Sequence, residues 1–251
     1  MTTPEATFPL DERSADTPGC AAASLPPKMP SMITVHHLER SRSQRVLWLL
    51  EELGVAYELK EYKRDPKTLR ATPALREVHP LGKSPVVTDG DSTLAESGAI
   101  LEYLVERYGS GKLRPAAGTP ERLRYDYWLH YAEGSAMPPL LLALVFSEVK
   151  KKAPWPVRPV AKAIANKVLG EFVQPQLALH FDWIERELGR STWFAGDELT
   201  AADVQMSYPI EAHAGRGDGA DRPNTRAWLE RVHARPAYKR ALERGGPVTL
   251  E

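Results

Sequence analysis

The feature that most constrains the fold is a change of pattern near Pro120. Between Ile33 and Gly109, short apolar segments alternate with short helical ones, whereas long stretches of helical periodicity follow Pro120. Strands and helices that alternate over a short length favour a mixed sheet with helices on its faces. The chain therefore predicts an α/β domain followed by an all-helical domain.

The first half predicts the order β-α-β-α-β-β-α. Strands are expected at residues 33–37, 55–62, 85–88 and around 93–94, and helices at 45–53, from Asp65-Pro66 onward and at 97–108. Gly54 is expected to stop the first helix, and Asp89-Gly90 marks a hairpin turn. Pro85 suits the first residue of a strand, where no N–H is needed, and is a candidate for a cis peptide bond.

Composition divides the chain into four parts. Residues 1–32 are rich in Pro, Ala, Ser and Thr without an apolar period, which predicts a disordered tail that carries the single cysteine, Cys20. Residues 33–109 form the α/β part and residues 110–120 a linker rich in Gly and Pro. Residues 121–251 predict helices near 121–150, 158–189, 200–213, 224–234 and 236–243. Pro138-Pro139 is expected to kink or break the first of these helices.

Charge and cysteine usage exclude several classes of protein. Thirty-three basic residues balance thirty-three acidic ones, so no global field recruits nucleic acid or a membrane. One cysteine allows no internal disulfide, no run of 18 apolar residues predicts a membrane span, and no signal peptide is apparent. We therefore expect a cytoplasmic protein. His36 and His37 point to opposite faces of a strand, so no metal site is expected.

Three short stretches remain as candidates for chemistry. They are Ser41 to Arg45 before the first helix, Gly82 to Pro85 before the third strand, and Glu96-Ser97 at the start of the next helix. Two of them lie at helix N-termini, where free N–H groups and the positive end of the dipole attract anions. This arrangement suits a small, elongated ligand with several negative groups.

The order and spacing of these stretches resemble the glutathione transferases. The resembling motifs are Ser-x-x-x-Arg before a Leu/Val helix, His-Pro-x-Gly-Lys-x-Pro ending at Pro85, and Leu-x-Glu-Ser-x-Ala-Ile beginning at Leu94. The resemblance spans residues 33–245 and is closest to serine-type members of a bacterial and fungal subgroup. It implies a thioredoxin-like domain followed by an all-helical one, a homodimer, and glutathione as co-substrate with no other cofactor.

The same resemblance implies a role for each stretch in binding glutathione. The N–H and hydroxyl of Ser97 would bind the γ-glutamyl carboxylate, and Glu96 would pair with the γ-glutamyl ammonium. The backbone of Ser84, held extended by a cis Pro85, would bond to the cysteinyl unit, and Lys83 would meet the glycyl carboxylate. Ser84 replaces the valine usual in the family, which is harmless if only its backbone binds.

Activation of the thiol is assigned by the resemblance to the hydroxyl of Ser41. Ser43 and the backbone N–H of Arg42 are alternative donors, and Ser41 is also a candidate helix cap. A free thiol with a pKa of ~8.5 is only about 3% ionised at pH 7. A charge-assisted hydrogen bond is worth ~1.5–3 kcal/mol, which lowers that pKa by about 1–2 units. Arg45, which faces the first helix, is expected to form a structural ion pair.

The second substrate is expected to be a small hydrophobic electrophile held by the helical domain. The candidate lining residues are Tyr127, Tyr131, Met137 and Phe146. The basic, proline-broken stretch 145–169 is a candidate cover for this site. Two other functions fit the same fold: glutathione-dependent peroxide or disulfide reduction, and non-catalytic binding of glutathione. Retention of all three stretches argues against the non-catalytic alternative.

One further motif is structural. Leu199-Thr200-Ala201-Ala202-Asp203-Val204 predicts a capping box with a hydrophobic staple at the start of a helix. We assign it to folding and not to catalysis.

Overall fold

The structure is a computed structural model, and it describes residues 32–65, 68, 71–216 and 221–248. The expected tail lies outside the described residues except for Met32, and so does Cys20. Pro66 also lies outside them.

A four-stranded mixed sheet forms the first half of the protein. Its strands are β1 (Ile33–Leu38), β2 (Tyr57–Tyr62), β3 (Val86–Asp89) and β4 (Ser92–Ala95), and its helices are α1 (Ser43–Leu53), α2 (Ala74–Val78) and α3 (Ser97–Tyr108). The strand order is β2-β1-β3-β4. β1 runs parallel to β2 and antiparallel to β3, which is antiparallel to β4. This confirms the predicted thioredoxin-like order.

One local prediction in this half is wrong, and another falls largely outside the described residues. The short helical stretch expected from Asp65-Pro66 includes residues that the structure does not describe, and the second helix of the structure begins at Ala74. The Asp65 carboxylate accepts hydrogen bonds from the N–H and hydroxyl of Thr68, at 2.7 and 3.0 Å. Arg64 and Ala71 form an antiparallel β-bridge.

The hairpin turn is displaced by one residue from its predicted place. Asp89 is the last residue of β3 and pairs with Ser92 of β4, so Gly90 and Asp91 form the turn. Gly90 has a φ of 59°, which a two-residue hairpin turn favours. Asp89 is instead buried and accepts hydrogen bonds from Tyr103 and Tyr108 of α3, at 2.7 and 2.5 Å.

The second half is helical, as predicted, but its two longest helices are interrupted. Its helices are α4 (Pro120–Tyr131), α5 (Met137–Lys152), α6 (Arg158–Val168), α7 (Gln174–Leu188), α8 (Ala201–Ala214), α9 (Pro223–Ala234) and α10 (Pro236–Gly245). Wider π-helical turns join α4 to α5 at Ala132–Ala136 and α6 to α7 at Leu169–Val173.

Each π-helical turn is followed within two residues by a proline. Pro138 and Pro139 follow the first, as the predicted break requires, and Pro175 follows the second. A proline lacks the N–H for an i−4 hydrogen bond, and its ring clashes with that carbonyl, which the wider turn relieves. The second interruption was not predicted, although Pro175 signals it in the same way.

The core is continuous between the sheet and the helices. Residues 43–50 of α1 are all buried, and α1 packs against α3, α8 and α10. The predicted capping box is present at the start of α8. The Asp203 carboxylate accepts from the N–H of Thr200 at 3.0 Å, from the N–H of Phe194 at 2.9 Å and from the Trp228 ring at 3.2 Å.

Across the described part of the chain, none of the helices is both long and apolar enough to span a bilayer.

Candidate active site

The strand register brings the three candidate stretches to one end of the sheet. His36 of β1 pairs with Val86 of β3, and Val86 pairs in turn with Ala95 of β4. The loop after β1, the loop before β3 and the turn from β4 into α3 therefore meet at this end. All three stretches lie there, as the sequence predicts.

The loop before β3 is fixed to the end of β1 by the Ser84 side chain. The Ser84-Pro85 peptide bond is cis, which confirms the expectation for Pro85. The Ser84 hydroxyl accepts from the N–H of Leu38 and donates to the carbonyl of His36, both at 3.2 Å. Lys83 is exposed on the same loop. The side chain of Ser84 is thus a structural tie, which its identity alone did not indicate.

The turn into α3 contains a strained residue. Glu96 has a φ of 71° and a ψ of 121°, a conformation that residues other than glycine rarely adopt, and its side chain is exposed. Such strain costs ~1–3 kcal/mol and is concentrated at functional sites. Ser97, the first residue of α3, is buried. The carboxylate of Glu96 and the first N–H groups of α3 are therefore held side by side.

Four groups form a hydrogen-bonded chain at the start of α1, which we call the Ser41 corner. The Ser41 hydroxyl lies 2.7 Å from the Ser43 hydroxyl, which lies 2.8 Å from His37 Nδ1. His37 Nε2 lies 2.8 Å from the carbonyl oxygen of Gly245 at the end of α10. Ser41, Ser43 and His37 are 5%, 0% and 3% exposed. The corner thus joins the loop after β1 to the last helix.

The chemistry of the groups fixes the direction of this chain. A carbonyl only accepts, so His37 Nε2 carries the hydrogen donated to Gly245. Burial lowers the pKa of His37 below its usual 6.5, so the ring is neutral at pH 7 and Nδ1 accepts from Ser43. Ser43 has then used its hydrogen, and Ser41 donates to it. The remaining acceptor near Ser41 is the Ser84 hydroxyl, at 3.4 Å.

The backbone of α1 adds to the corner. The N-cap of α1 is Arg42, whose side chain makes no capping bond, and the N–H of Ser43 donates to the Ser41 hydroxyl at 3.2 Å. Ser41 therefore lies one residue before the N-cap, and its hydroxyl still accepts from a backbone N–H at the start of the helix. Its own hydrogen has two acceptors nearby, the Ser43 hydroxyl at 2.7 Å and the Ser84 hydroxyl at 3.4 Å.

An ionic cluster joins α1 to the helical half beside this corner. Glu133, in the π-helical turn after α4, bonds to Arg42 at 3.0 Å and also to Arg45, whose side chain is 1% exposed. Both guanidinium groups lie over the Tyr208 ring, at 5.3 and 5.2 Å. Burial alone raises the pKa of Glu133, but the charges of Arg45 and Arg42 outweigh it and hold that pKa below its usual value. The expected ion pair of Arg45 is confirmed.

Comparison with known proteins identifies the family. The chain matches the family model of the glutathione S-transferase N-terminal domain over residues 30–106 and that of the C-terminal domain over residues 154–236. Glutathione S-transferase 3 of Schizosaccharomyces pombe is 38% identical over 221 residues, which cover 87% of this chain and 90% of that protein. The chain belongs to the glutathione S-transferase family.

Other transferases support the same assignment. Glutathione S-transferase 1 of Saccharomyces cerevisiae is 32% identical over 85% of this chain and 95% of its own length. The crystal structure of a glutathione S-transferase from Actinobacillus pleuropneumoniae superposes with a TM-score of 0.71 at 38% identity, covering 85% of this chain and 93% of that one. A theta class enzyme from Xanthomonas axonopodis pv. citri, with glutathione bound, gives 0.66 at 27% identity over 85% and 97%.

Within this transferase fold, two of the residues suggested for the electrophile bond to α7. The Tyr127 hydroxyl accepts from the Trp183 ring at 3.2 Å, and the Tyr131 hydroxyl bonds to His180 Nδ1 at 2.6 Å. Tyr127 is 47% exposed, whereas Tyr131 is buried. The part of the two tyrosines in binding an electrophile stays a prediction.

The other two suggested electrophile residues lie on α5. Met137 is its first residue and is buried, whereas Phe146 lies further along and is half-buried. None of the contacts found among the described residues brings either side chain to Ser41. Their part in binding an electrophile stays a prediction.

Two residues of the site were missed in the sequence. From the sequence, His37 is weighed only as a metal ligand. In the structure it bonds to Ser43, whereas His36 points to the opposite face of β1 and bonds to Tyr62. Glu133 was not recognised as the partner of Arg45, because contacts between distant segments leave no local signal. Among the described residues no cluster of His, Cys, Asp and Glu suits a metal ion.

Proposed function

We propose that the protein binds glutathione at the shared end of the sheet and that Ser41 stabilises its thiolate for attack on an electrophile. The observation that carries this proposal is the directed chain from Ser41 through Ser43 and His37 to Gly245. In this chain the Ser43 hydrogen is committed to His37, whereas the Ser41 hydroxyl donates only to another hydroxyl, so its hydrogen can turn to a thiolate. Family membership supports glutathione as the co-substrate.

The chain also distinguishes Ser41 from its closest rival. Ser43 is fully buried, and its hydrogen is committed to His37 at 2.8 Å. Turning that hydrogen to a ligand would leave His37 Nδ1 buried without a partner, which costs ~1–3 kcal/mol. Ser41 loses only a bond to another hydroxyl when it turns toward sulfur, and Ser43 keeps its remaining partners. We therefore assign donation to the sulfur to Ser41 and a supporting role to Ser43.

The proposed reaction begins with loss of the thiol proton to solvent. The resulting thiolate accepts the Ser41 hydrogen and lies near the N-terminus of α1, whose dipole stabilises negative charge. A sulfur lone pair then forms a bond to the electrophilic carbon, and the leaving group departs with the electron pair of its own bond. Ser41 keeps its proton throughout, so it acts as a donor and not as a general base.

The other contacts of glutathione are proposed from the same end of the sheet. The γ-glutamyl carboxylate would bind Ser97 and the free N–H groups of α3, with the exposed Glu96 beside it for the ammonium group. The backbone of Ser84 would bond to the cysteinyl unit, and Lys83 would meet the glycyl carboxylate. Support comes from the strand register, which pairs Val86, next to Pro85, with Ala95, next to Glu96.

Several further features of the protein are part of the proposal. We propose a cytoplasmic homodimer with a domain boundary in residues 110–120; residues 109–119 contain no helix or strand. We also propose a small hydrophobic electrophile as the second substrate.

Isothermal titration with glutathione tests the binding site. Ser97→Ala is expected to weaken binding by ~1–3 kcal/mol, or about 5- to 150-fold, because a charged carboxylate loses a donor. Ser92→Ala is the matched control, since Ser92 is an exposed serine on the preceding strand. Equal affinities of the Ser97 variant and the unchanged protein would refute the site.

Parallel assays distinguish the reaction. We expect turnover with 1-chloro-2,4-dinitrobenzene to exceed turnover with cumene hydroperoxide or a glutathione mixed disulfide. Faster reduction of either of the last two would favour a peroxidase or disulfide reductase instead.

A further inference from the structure

The end of α5, the turn after it and α6 form a hairpin with an unusual charge. We call residues 149–170 the tip hairpin. This segment contains six basic residues and no acidic residue, although the whole chain is neutral. The basic residues are Lys150, Lys151, Lys152, Arg158, Lys162 and Lys167. Local charge of this density marks a surface that attracts anions.

The tip hairpin also exposes large apolar side chains. Trp155 is 83% exposed, Val160 is 63% exposed and Ile164 is 58% exposed. Isolated exposed apolar residues are ordinary, but a contiguous group rimmed by polar residues indicates a surface for interaction. An open apolar groove of about 650 Å³ continues this group between α5 and α6, where Leu144 and Val149 line it.

The geometry of α6 explains this exposure. Val157, Val160 and Ile164 follow one another at spacings of three and four residues and so share one face of the helix. In α6 only Ala165 is buried. The side of α6 that carries Val160 and Ile164 therefore points into solvent, whereas the side that carries Ala165 packs against the rest of the protein.

We propose that the tip hairpin docks on the surface of an anionic lipid bilayer. A basic amphipathic helix lies in the bilayer interface with its apolar face inserted and its Lys and Arg side chains extended to the headgroups. Basic residues near such a surface are attracted to its anionic headgroups, and tryptophan favours the interface. Trp155 at the turn and the six flanking cations match both requirements.

A second copy of the chain fits this face less well. In a two-fold dimer the same patch meets itself, which would bring two hairpins with six cations each together. Glu148 pairs with Lys152 at 2.8 Å and with Lys151 at 3.7 Å, and Glu171 follows the hairpin, so nearby carboxylates offset part of the charge. The net charge of the segment stays positive even so.

The sequence expectation that no membrane is involved depends on the net charge of the whole chain. That average hides the positive charge of this segment.

Co-sedimentation with vesicles tests the proposal with the full chain. We expect binding to vesicles of phosphatidylcholine mixed with phosphatidylserine, loss of that binding at high salt, and little binding to phosphatidylcholine alone. Replacing Lys150, Lys151 and Lys152 together by Gln is expected to weaken binding by at least about tenfold. Lys239→Gln, an exposed lysine on α10, is the control for charge and should bind unchanged.

The apolar part of the contact has its own test. Trp155→Ser and Ile164→Ser are each expected to weaken vesicle binding, while Leu123→Ser, a residue of α4 that is 74% exposed, leaves it unchanged. Tryptophan emission should shift to the blue on anionic vesicles, and this shift should be smaller in Trp155→Phe. Such a difference would place the Trp155 side chain in the interface.

Three results would overturn the proposal. The first is absence of binding to anionic vesicles at low salt. The second is a change from dimer to monomer in sedimentation for the hairpin variants without any vesicle binding, which would assign the face to a second copy. The third is a raised KM for the electrophile in those variants, again without vesicle binding, which would assign it to the substrate. Neither glutathione affinity nor turnover enters the vesicle readout, so failure here leaves the proposed transferase activity untouched.

Discussion

The Ser41 corner and the tip hairpin use burial in opposite ways. The corner buries polar groups, with Ser43 at 0% and His37 at 3% exposure, and pairs each of them. The hairpin exposes apolar groups, with Trp155 at 83%. A buried polar group is costly without its partner, whereas an exposed side chain contributes little to folding. The comparison teaches that substitutions at the corner should change both its chemistry and the free energy of unfolding. Substitutions in the hairpin should change its interactions and leave the free energy of unfolding nearly unchanged.

The strongest test of this coupling is Glu133→Gln. Arg45 is 1% exposed, and the loss of its carboxylate partner leaves a buried cation uncompensated. Because Glu133 itself is 35% exposed, we expect a loss of about 2–3 kcal/mol in the free energy of unfolding, somewhat below the value for fully buried pairs. Denaturant unfolding measures it.

The control for Glu133 is a carboxylate of similar exposure near the hairpin. Glu148 is 32% exposed and pairs with Lys151 and Lys152, which are 75% and 65% exposed. Glu148→Gln should leave the free energy of unfolding nearly unchanged, since both cations remain in water. Equal losses in the two variants would break the contrast between the regions.

The pH dependence of Glu133→Gln is a second test of the Glu133 ion pair. The pKa of Glu133 is held below its usual 4.5, so its contribution to stability is complete above pH 4.5. That contribution is lost as the pH falls through the lower pKa of the folded state. The stability difference between Glu133→Gln and the unchanged protein should therefore shrink in acid.

A smaller loss is expected for Ser43→Ala. The substitution leaves His37 Nδ1 buried without its donor, which costs ~1–3 kcal/mol of unfolding free energy. Thermal or denaturant unfolding measures the loss, and Ser147→Ala on α5 is the control. A fully stable Ser43→Ala protein would mean that the hydrogen-bonded chain does not hold the corner together.

The smallest effect is expected for Val160→Ser in the tip hairpin. Val160 is 63% exposed on α6, so unfolding free energy should stay within about 0.5 kcal/mol of the original. Thermal unfolding checks this value. A loss above about 2 kcal/mol would mean that the face of α6 is covered in the native protein.

Sequence reasoning was most reliable where one local signal decides the structure. Gly54, with a φ of 66°, ends α1 as predicted, and the capping box begins α8. Pro85 is cis, and the three candidate stretches meet because strand order follows from the α/β pattern. Each of these depends on a few neighbouring residues or on topology.

Sequence reasoning failed where contacts between distant segments of the chain decide the structure. Asp89 is predicted as a turn residue, but it is buried and accepts hydrogen bonds from Tyr103 and Tyr108 of α3. The partner of His37 is Gly245, at the far end of the chain, and no spacing in the sequence indicates it.

The central claim is that the Ser41 hydroxyl stabilises the thiolate of bound glutathione. The most direct measurement is a pH titration of the thiolate absorbance of the glutathione complex, made for the unchanged protein, Ser41→Ala and Ser43→Ala. We predict that the pKa of the bound thiol rises by about 1–2 units in Ser41→Ala and much less in Ser43→Ala, with glutathione affinity little changed in Ser41→Ala. A larger shift in Ser43→Ala, or no shift in either variant, would contradict the account and point to Ser43 or to the N–H groups at the start of α1.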